Sequence, residues 1–189
     1  SEWNRKRYLA EVGEDGPVVH PTVDIELFYP ADSVDFSRGL YFPRKNYGLA
    51  WRVLNELARR KVNIHWHKAD EIPERKLASL WREIGITMIT GYPESFPMPP
   101  IEAMASGSVP IGTTGGAGRE YMINQENSVI VNDGDWEALA NAIEHTVNDK
   151  ALLQHLHQKG IECANRYTPE NQKKELITAL HELKAPTPS

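Results

Sequence analysis

The chain has 189 residues, enough for one domain of ordinary size with its own hydrophobic core. Its formal net charge of -5 argues against a nucleic-acid-binding surface. The single cysteine, Cys163, excludes an intramolecular disulfide and suits a reducing compartment, so we expect a cytoplasmic protein. No apolar run approaches the roughly 18 residues that a transmembrane helix needs.

Residues 3–12 predict a short helix that ends in the glycine-bearing turn 13–16, and an extended segment follows over residues 18–30. Downstream, short β-rich runs alternate with segments in which apolar residues recur at helical spacing. The runs predict strands near Phe36 and over residues 62–66, 86–89, 109–111 and 128–131. The helical segments cover residues 47–57, 77–84, 101–106, 136–147 and 153–163, and a final helix opens at Thr168 and Pro169.

Short strands that alternate with helices predict an α/β fold: a Rossmann-like parallel sheet with helices on both faces, followed by a C-terminal helical extension. Such sheets bind ligands outside the carboxyl ends of their strands. The loops that follow Ile89, Ile111 and the strand near Phe36 are therefore the first candidates for a binding site.

The most informative segment is residues 91–107, which follow a predicted strand and open a helix. This segment places Glu94 in the strand-to-helix loop and Glu102 in the first turn or two of the helix, with seven residues between them. A helix N-terminus presents free backbone N–H groups and partial positive charge, which suit a diphosphate. Carboxylates beside it can accept hydrogen bonds from sugar and ribose hydroxyls.

These residues resemble the Glu-x7-Glu signature of the retaining glycosyltransferases of the family-4 type, which adopt the GT-B fold. The family form E-G-F-G-x-P-x-x-E-A-M-A-x-G-x-P-V reads E-S-F-P-M-P-P-I-E-A-M-A-S-G-S-V-P-I here. Two family glycines are replaced by Ser95 and Pro97, and proline has no backbone N–H to offer a phosphate. Residues 23–30 are similar to the segment that opens the family's C-terminal domain, and residues 113–120 to its glycine-bearing loop.

The resemblance implies a nucleotide-diphosphate sugar as substrate, transferred to a glycan or lipid-linked acceptor in polysaccharide biosynthesis. Arg38 and Lys45, with Arg44 as the alternative to Lys45, would neutralise the leaving diphosphate. Glu94 would orient the donor sugar and Glu102 the ribose. The other residues expected to line the donor are Ser95, Phe96, Pro97, Met98, Gly115 and Gly116. No metal or other cofactor is expected, because cationic side chains and helix dipoles take that role in the family.

Two patterns could suggest a metal site. His65 and His67 share one face of a predicted strand without a third ligand, which favours a role at the strand edge. Asp133 and Asp135 mimic a D-x-D metal motif, but they precede a predicted helix and favour a turn and N-cap.

We therefore expect residues 1–16 to be the remnant of an N-terminal domain or a linker, residues 17–167 the nucleotide-sugar-binding domain, and residues 168–189 a C-terminal helix and tail. The missing partner would be the acceptor-binding half of the GT-B fold, so the chain alone would transfer no sugar. Any membrane contact would be peripheral, at the inner face, through the full-length enzyme. Two alternatives stay open: a non-catalytic scaffold or regulatory domain of the same fold, and a GT-B-type sugar-nucleotide epimerase.

Overall fold

The computed structural model describes residues 1–184; the end of the predicted C-terminal tail, residues 185–189, lies outside the described residues. The strands are β1 (Asp35–Tyr41), β2 (His65–Lys68), β3 (Ile84–Ile89), β4 (Val109–Gly112) and β5 (Val129–Ile130). Within the described chain they form one sheet in the order β2-β1-β3-β4-β5, and every pair is parallel. The predicted parallel α/β sheet is confirmed.

The helices of the described chain alternate with these strands. They are α1 (Glu2–Val12), α2 (Pro43–Arg59), α3 (Glu74–Trp81), α4 (Met98–Ala105), α5 (Trp136–Asn148), α6 (Lys150–Ala164) and α7 (Pro169–Lys184), with a short 3-10 helix at Ala117–Glu120. α2 and α7 begin with proline, which is favoured there because a first-turn N–H has no partner inside the helix. Over residues 1–184, none of the helices is long and apolar enough to cross a membrane.

Helices cover both faces of the sheet, as predicted. One face carries Leu40, Trp81, Ile101, Met104 and Cys163 from β1, α3, α4 and α6. The other carries Val53, Leu57, Leu139 and Ile143 from α2 and α5, together with Ile86, Met88, Val109 and Ile111 from β3 and β4. β3 is buried along its whole length. A strand that lies between two helical layers is apolar on both faces, which explains its continuous apolar run.

The strand predicted over residues 62–66 begins later, at His65. Lys61 has a φ of 59°, a left-handed conformation that ends α2. The Val62 N–H donates to the Leu57 carbonyl at 3.0 Å, so Val62 still belongs to the hydrogen-bonded end of α2. The first residues of the predicted strand therefore belong to the connection, although their alternating pattern is that of a strand.

The helices on either side of β3 also differ from the prediction at their ends. α3 ends at Trp81, and Ile84, which was expected in that helix, begins β3. α4 begins at Met98 rather than near Ile101, because prolines are tolerated in a first helical turn. Glu102 therefore lies in the second turn of α4.

The two terminal helices contribute little to the core. α1 has no buried residue. The apolar stripe predicted for α7 is largely open to solvent. Its members Leu176, Ile177, Leu180 and Leu183 are 45–67% exposed. α7 instead contacts the domain through a neighbouring face that includes the buried Ala179. The division of the chain into three parts stays a prediction.

Candidate functional site

The loops that follow β1, β3 and β4 lie at one edge of the sheet, as the parallel topology requires. Backbone contacts join two of these loops. Glu94 pairs with Gly116 in a parallel bridge, and the Glu94 N–H donates to the Gly115 carbonyl at 2.6 Å. The two loops that the sequence singled out are therefore in direct contact, and together they hold Glu94 at the carboxyl edge.

Lys45 and Glu94 meet across this edge. Lys45 lies in the first turn of α2, directly after β1, and its Nζ is 2.9 Å from the Glu94 Oε2. The two side chains are 36% and 17% exposed. An ammonium group and a carboxylate from distant parts of the sequence thus share one position that solvent, and hence a ligand, can reach.

Glycines make room for the Glu94 side chain. A Cβ at Gly91 would lie 2.1 Å from the Glu94 Oε1, closer than two such atoms can approach. Gly115 has a φ of 65°, a left-handed conformation that favours glycine, and a Cβ there would lie 3.2 Å from the Glu94 Cβ. A larger residue at Gly91 would displace the carboxylate from Lys45.

Glu102 lies one turn into α4 and is half-buried. Burial raises the pKa of Glu102 to about 7, and the Glu74 carboxylate adds to that rise. Within residues 1–184, the Glu102 carboxyl group accepts no hydrogen bond that would offset this rise in its pKa. Hydroxyl groups of a ligand could supply the missing hydrogen bonds, because an ionised carboxylate is a strong acceptor.

α1 lies against both loops of the site. The Ser95 carbonyl accepts hydrogen bonds from the Ser1 hydroxyl at 2.9 Å and from the Asn4 amide at 3.2 Å. Gly116 has a φ of 102°, and a Cβ at that position would lie 3.3 Å from the Trp3 ring. α1 therefore holds the loop between β3 and α4 by hydrogen bonds to the Ser95 carbonyl. It holds the loop after β4 by the packing of Trp3 against Gly116.

The next residues of the loop between β3 and α4 contact Tyr121 and Tyr167. The Phe96 ring lies 5.2 Å from the Tyr121 ring and 5.8 Å from the Tyr167 ring, measured between centroids. The Pro97 carbonyl accepts a hydrogen bond from the Tyr121 hydroxyl. Met98 begins α4 and packs against the core. Phe96 and Met98 thus fix the loop through their side chains.

The structure does not bring Arg38 to Lys45. The Arg38 guanidinium donates to Glu83 at 2.6 Å and to His67 Nε2 at 3.2 Å. Arg38 precedes Tyr41, the end of β1, by three residues, which is about 10 Å of extended strand. Glu83 directly precedes β3, at its amino end. The Arg38 side chain therefore lies in a separate cluster with Glu83 and His67, away from Lys45.

Arg44 lies at this edge instead. It follows Pro43 in the first turn of α2, and it lines a small cavity together with Lys45, Asp70 and Glu71. The carboxyl edge thus receives two cationic side chains from consecutive residues of one helix start. The sequence offered Arg44 as the alternative to Lys45, and the structure places both at the edge.

Sequence reasoning missed a charged arrangement beside the loop after β4. The His20 Nδ1 is 3.0 Å from the Glu175 Oε1, and the His20 Nε2 is 3.3 Å from the Glu120 Oε2. Glu120 also accepts the backbone N–H groups of Glu2 and Trp3 at 3.1 and 2.8 Å. These contacts join α1, α7 and the glycine-bearing loop. The glycine-loop motif included Glu120, but no sequence spacing connects it with the other two.

Known proteins are similar to this chain in sequence and in fold. The profile of the family described as glycosyl transferases group 1 matches residues 48–163. An exopolysaccharide phosphotransferase from Streptomyces coelicolor is 30% identical over 115 residues, which are 57% of this chain and 12% of that protein. The chain thus spans only a small part of this relative.

Solved structures show the same fold at low sequence identity. The C-terminal domain of a glycosyl transferase group 1 protein from Francisella tularensis has a TM-score of 0.63 and 17% identity, over 78% of this chain and 99% of that one. Sucrose-phosphate synthase from Thermosynechococcus elongatus has 0.76 and 19%, over 97% and 57%. HepE from Anabaena, in complex with UDP-glucose, has 0.77 and 14%, over 96% and 62%. The chain has the fold of the C-terminal half of a GT-B enzyme and belongs to the glycosyl transferases group 1 family.

Proposed function

We propose that the chain is the donor-binding domain of a retaining glycosyltransferase. It binds a nucleotide-diphosphate sugar for transfer to a glycan or lipid-linked acceptor. The observation that carries this proposal is the meeting of Lys45 and Glu94, 2.9 Å apart, at the carboxyl edge of the sheet. Open α/β sheets bind their ligands at that edge.

Two cations are available for the leaving diphosphate. Negative charge develops on that group as the bond to the sugar breaks, and fixed positive charges stabilise it. Lys45 and Arg44 supply such charges from the first turn of α2. Arg38 would first have to leave Glu83 and His67, so we assign the second charge to Arg44 rather than to Arg38.

The start of α4 makes these cations more important. Pro97, Pro99 and Pro100 occupy its cap position and two of its first three residues. Proline has no N–H, so this helix start has fewer free donors for a phosphate than most. Side-chain charge therefore carries a larger share of diphosphate binding here.

The two carboxylates suit different parts of the donor. Once the diphosphate draws Lys45 away, the Glu94 oxygens can accept hydrogen bonds from hydroxyls of the transferred sugar. Glu102 lies farther into α4 and is half-buried, and we assign it to the ribose. Both roles use charge-assisted hydrogen bonds, which are stronger than neutral ones.

Ligands named for similar proteins support this class of donor. HepE from Anabaena is solved with UDP-glucose and with UDP, and TarM from S. aureus with UDP. The Streptomyces relative is named for exopolysaccharide. These names favour a UDP-type donor and polysaccharide biosynthesis as the setting. In the proposed site, cationic side chains and not a metal ion neutralise the diphosphate.

A non-catalytic scaffold of the same fold is the main alternative, because Ser95 and Pro97 replace two loop glycines. The family match disfavours a sugar-nucleotide epimerase. Isothermal titration with UDP, GDP and dTDP, in the presence of EDTA, separates the remaining possibilities. We expect at least one nucleotide to bind without metal. Binding of none of the three would support the scaffold.

A charge variant locates the binding. Lys45→Met should weaken nucleotide binding about 10- to 100-fold, the usual effect of losing one charge-assisted hydrogen bond. Lys159→Met is the matched control, because Lys159 pairs with Glu162 on α6 and not with the site. Equal affinities in the two variants would exclude Lys45 from the diphosphate site.

A further inference from the structure

The carbonyl that caps the start of α4 has an unusual partner. In α5, α6 and α7 the carbonyl of the cap residue accepts a backbone N–H from within the helix, at 3.0–3.1 Å. In α4 the cap residue is Pro97, and its carbonyl accepts the phenolic hydroxyl of Tyr121. The first turn of α4 is thus fixed by a side chain from another element.

Tyr121 is itself held rigidly. Its ring is fully buried and packs against Phe96 and Tyr167, with centroids 5.2 and 5.8 Å away. Its carbonyl accepts hydrogen bonds from the Asn127 amide at 2.7 Å and from the Cys163 thiol at 3.4 Å. Burial holds the pKa of the Tyr121 hydroxyl well above its usual range, so the hydroxyl stays protonated and remains a donor.

The loop between Glu94 and α4 is therefore fixed at both ends. At one end the Glu94 N–H donates to the Gly115 carbonyl at 2.6 Å. At the other end the Tyr121 hydroxyl holds Pro97. The residues between these points, and the helix turn that carries Glu102, are oriented by this pair of contacts.

We propose that Tyr121 is a positioning residue for the donor. Its hydroxyl sets the orientation of the Pro97 peptide and of the first turn of α4, and hence the distance from Glu102 to the Lys45–Glu94 pair. Tyr121 does not touch the ligand. The proposal rests on the proposed function, because it assigns Tyr121 a role in binding the same nucleotide-sugar.

Tyr121→Phe tests this role, because it removes the hydroxyl and keeps the ring. Tyr167→Phe is the matched control: it removes a hydroxyl from the same aromatic cluster, and within residues 1–184 that hydroxyl makes no hydrogen bond to the loop. Titration with UDP, GDP and dTDP should show about tenfold weaker binding to Tyr121→Phe, or ~1.4 kcal/mol. Tyr167→Phe should bind like the unmodified chain.

Hydrogen exchange separates positioning from general stability. In Tyr121→Phe, the amides of residues 102–105, which are hydrogen-bonded within α4, should exchange faster while α5 keeps its protection. Unchanged nucleotide affinity, or a loss of protection spread evenly over the domain, would overturn the proposal. If the unmodified chain binds no nucleotide, the proposed function fails, and unchanged exchange at residues 102–105 in Tyr121→Phe would then reject the role of the loop contact independently.

If Tyr121→Phe does not fold, NMR of the unmodified chain tests the proposed role of Tyr121 instead. The Tyr121 hydroxyl proton should exchange slowly with water, and its NMR signal should shift when the nucleotide that binds is added. A hydroxyl proton that exchanges rapidly, or a signal that does not respond to nucleotide, would contradict the proposed role.

Discussion

The contact between Lys45 and Glu94 joins two side chains that we propose bind the donor. An ion pair as open to solvent as this one contributes only about 0–1 kcal/mol to stability. A diphosphate can therefore draw the Lys45 ammonium away at small cost, which frees the Glu94 carboxylate for the sugar. The pair therefore adds little to stability, and its two charges are available for the proposed roles.

This arrangement predicts different effects for the two carboxylates. Glu102→Ala should weaken the binding of nucleotide and of nucleotide sugar alike, by roughly 1.5–3 kcal/mol for a lost charge-assisted hydrogen bond. Glu94→Ala should weaken only the intact nucleotide sugar, since it leaves Lys45 free for the diphosphate. Calorimetric titration with both ligands measures the difference. Equal losses for both ligands in both variants would contradict the assignment.

The raised pKa of Glu102 predicts a pH-dependent stability. Burial raises this pKa to about 7, above the ordinary glutamate value of about 4.3. The folded chain thus binds a proton that the unfolded chain releases. The contribution of this carboxyl group to the free energy of unfolding is therefore fully present below about pH 4 and is lost as the pH rises through 7. Glu102→Gln stays neutral, and it should be more stable than the unmodified chain at pH 8 by roughly 2–3 kcal/mol.

Urea unfolding at pH 4, 6 and 8 measures this effect. The two chains should have similar stability at pH 4 and separate as the pH rises. Glu74→Gln is a useful companion, because it removes the nearby negative charge and should give a smaller gain of the same sign. A difference between Glu102→Gln and the unmodified chain that does not change with pH would exclude a raised pKa as its cause.

For individual residues, the strength of each prediction from sequence depended on the length of the motif that supported it. Glu94 and Glu102 stand in an ordered motif, and their elements lie where the motif indicates. Arg38 and Lys45 had only a loose pattern behind them. Lys45 follows the end of a strand, so topology alone brings it to the edge. The direction of the Arg38 side chain depends on Glu83 and on a neighbouring strand, which sequence spacing does not reveal.

Among the elements, apolar runs located β3 and β4, and Pro169 marked the start of α7. Prolines were less useful elsewhere, since α2 begins at Pro43, before the predicted segment, and α4 contains Pro99 and Pro100 in its first turn. Errors arose where a conformation depends on a single residue, as at Lys61, whose left-handed φ of 59° delays the start of β2. The His20 contacts could not be predicted, since residues 20 and 175 are brought together by the docking of α7.

The exposed stripe of α7 predicts a weakly held helix. Leu176, Leu180 and Leu183 are 48%, 47% and 67% exposed, and each fully exposed leucine forgoes roughly 1.5–3 kcal/mol of burial. α2, in contrast, buries Val53 and Leu57. Backbone hydrogen exchange should therefore show lower protection over residues 170–184 than over residues 47–58.

The contacts of His20 provide a control for this prediction. Glu175→Ala removes two hydrogen bonds between α7 and His20, one to its backbone N–H and one to its ring, so protection of α7 should fall further while α2 is unaffected. Equal protection of α2 and α7 in the monomeric unmodified chain would show that α7 belongs to the core of this domain, and that its leucine stripe needs no partner.

At the scale of the whole molecule, the chain has the fold of one half of a GT-B enzyme. It spans 57% of the sucrose-phosphate synthase structure and 62% of the HepE structure. We propose that the acceptor and several catalytic groups lie on the other half of such an enzyme.

We therefore predict that the 189-residue chain binds a nucleotide diphosphate but transfers no sugar. Incubation with radiolabelled nucleotide sugars and glycan or lipid-linked acceptors measures transfer directly. Nucleotide binding by the same preparation is the control that shows a functional donor site. Turnover by the chain alone would contradict the division of labour between the two halves.

Donor binding at the carboxyl edge marked by Lys45 and Glu94 can be tested by NMR shift mapping during titration with the nucleotide that binds. We expect backbone signals to move in the first turn of α2, over residues 91–98 and over residues 113–118, while those near Arg38 and Glu83 stay in place. Shifts centred on Arg38 and Glu83, with none at residues 91–98, would contradict it.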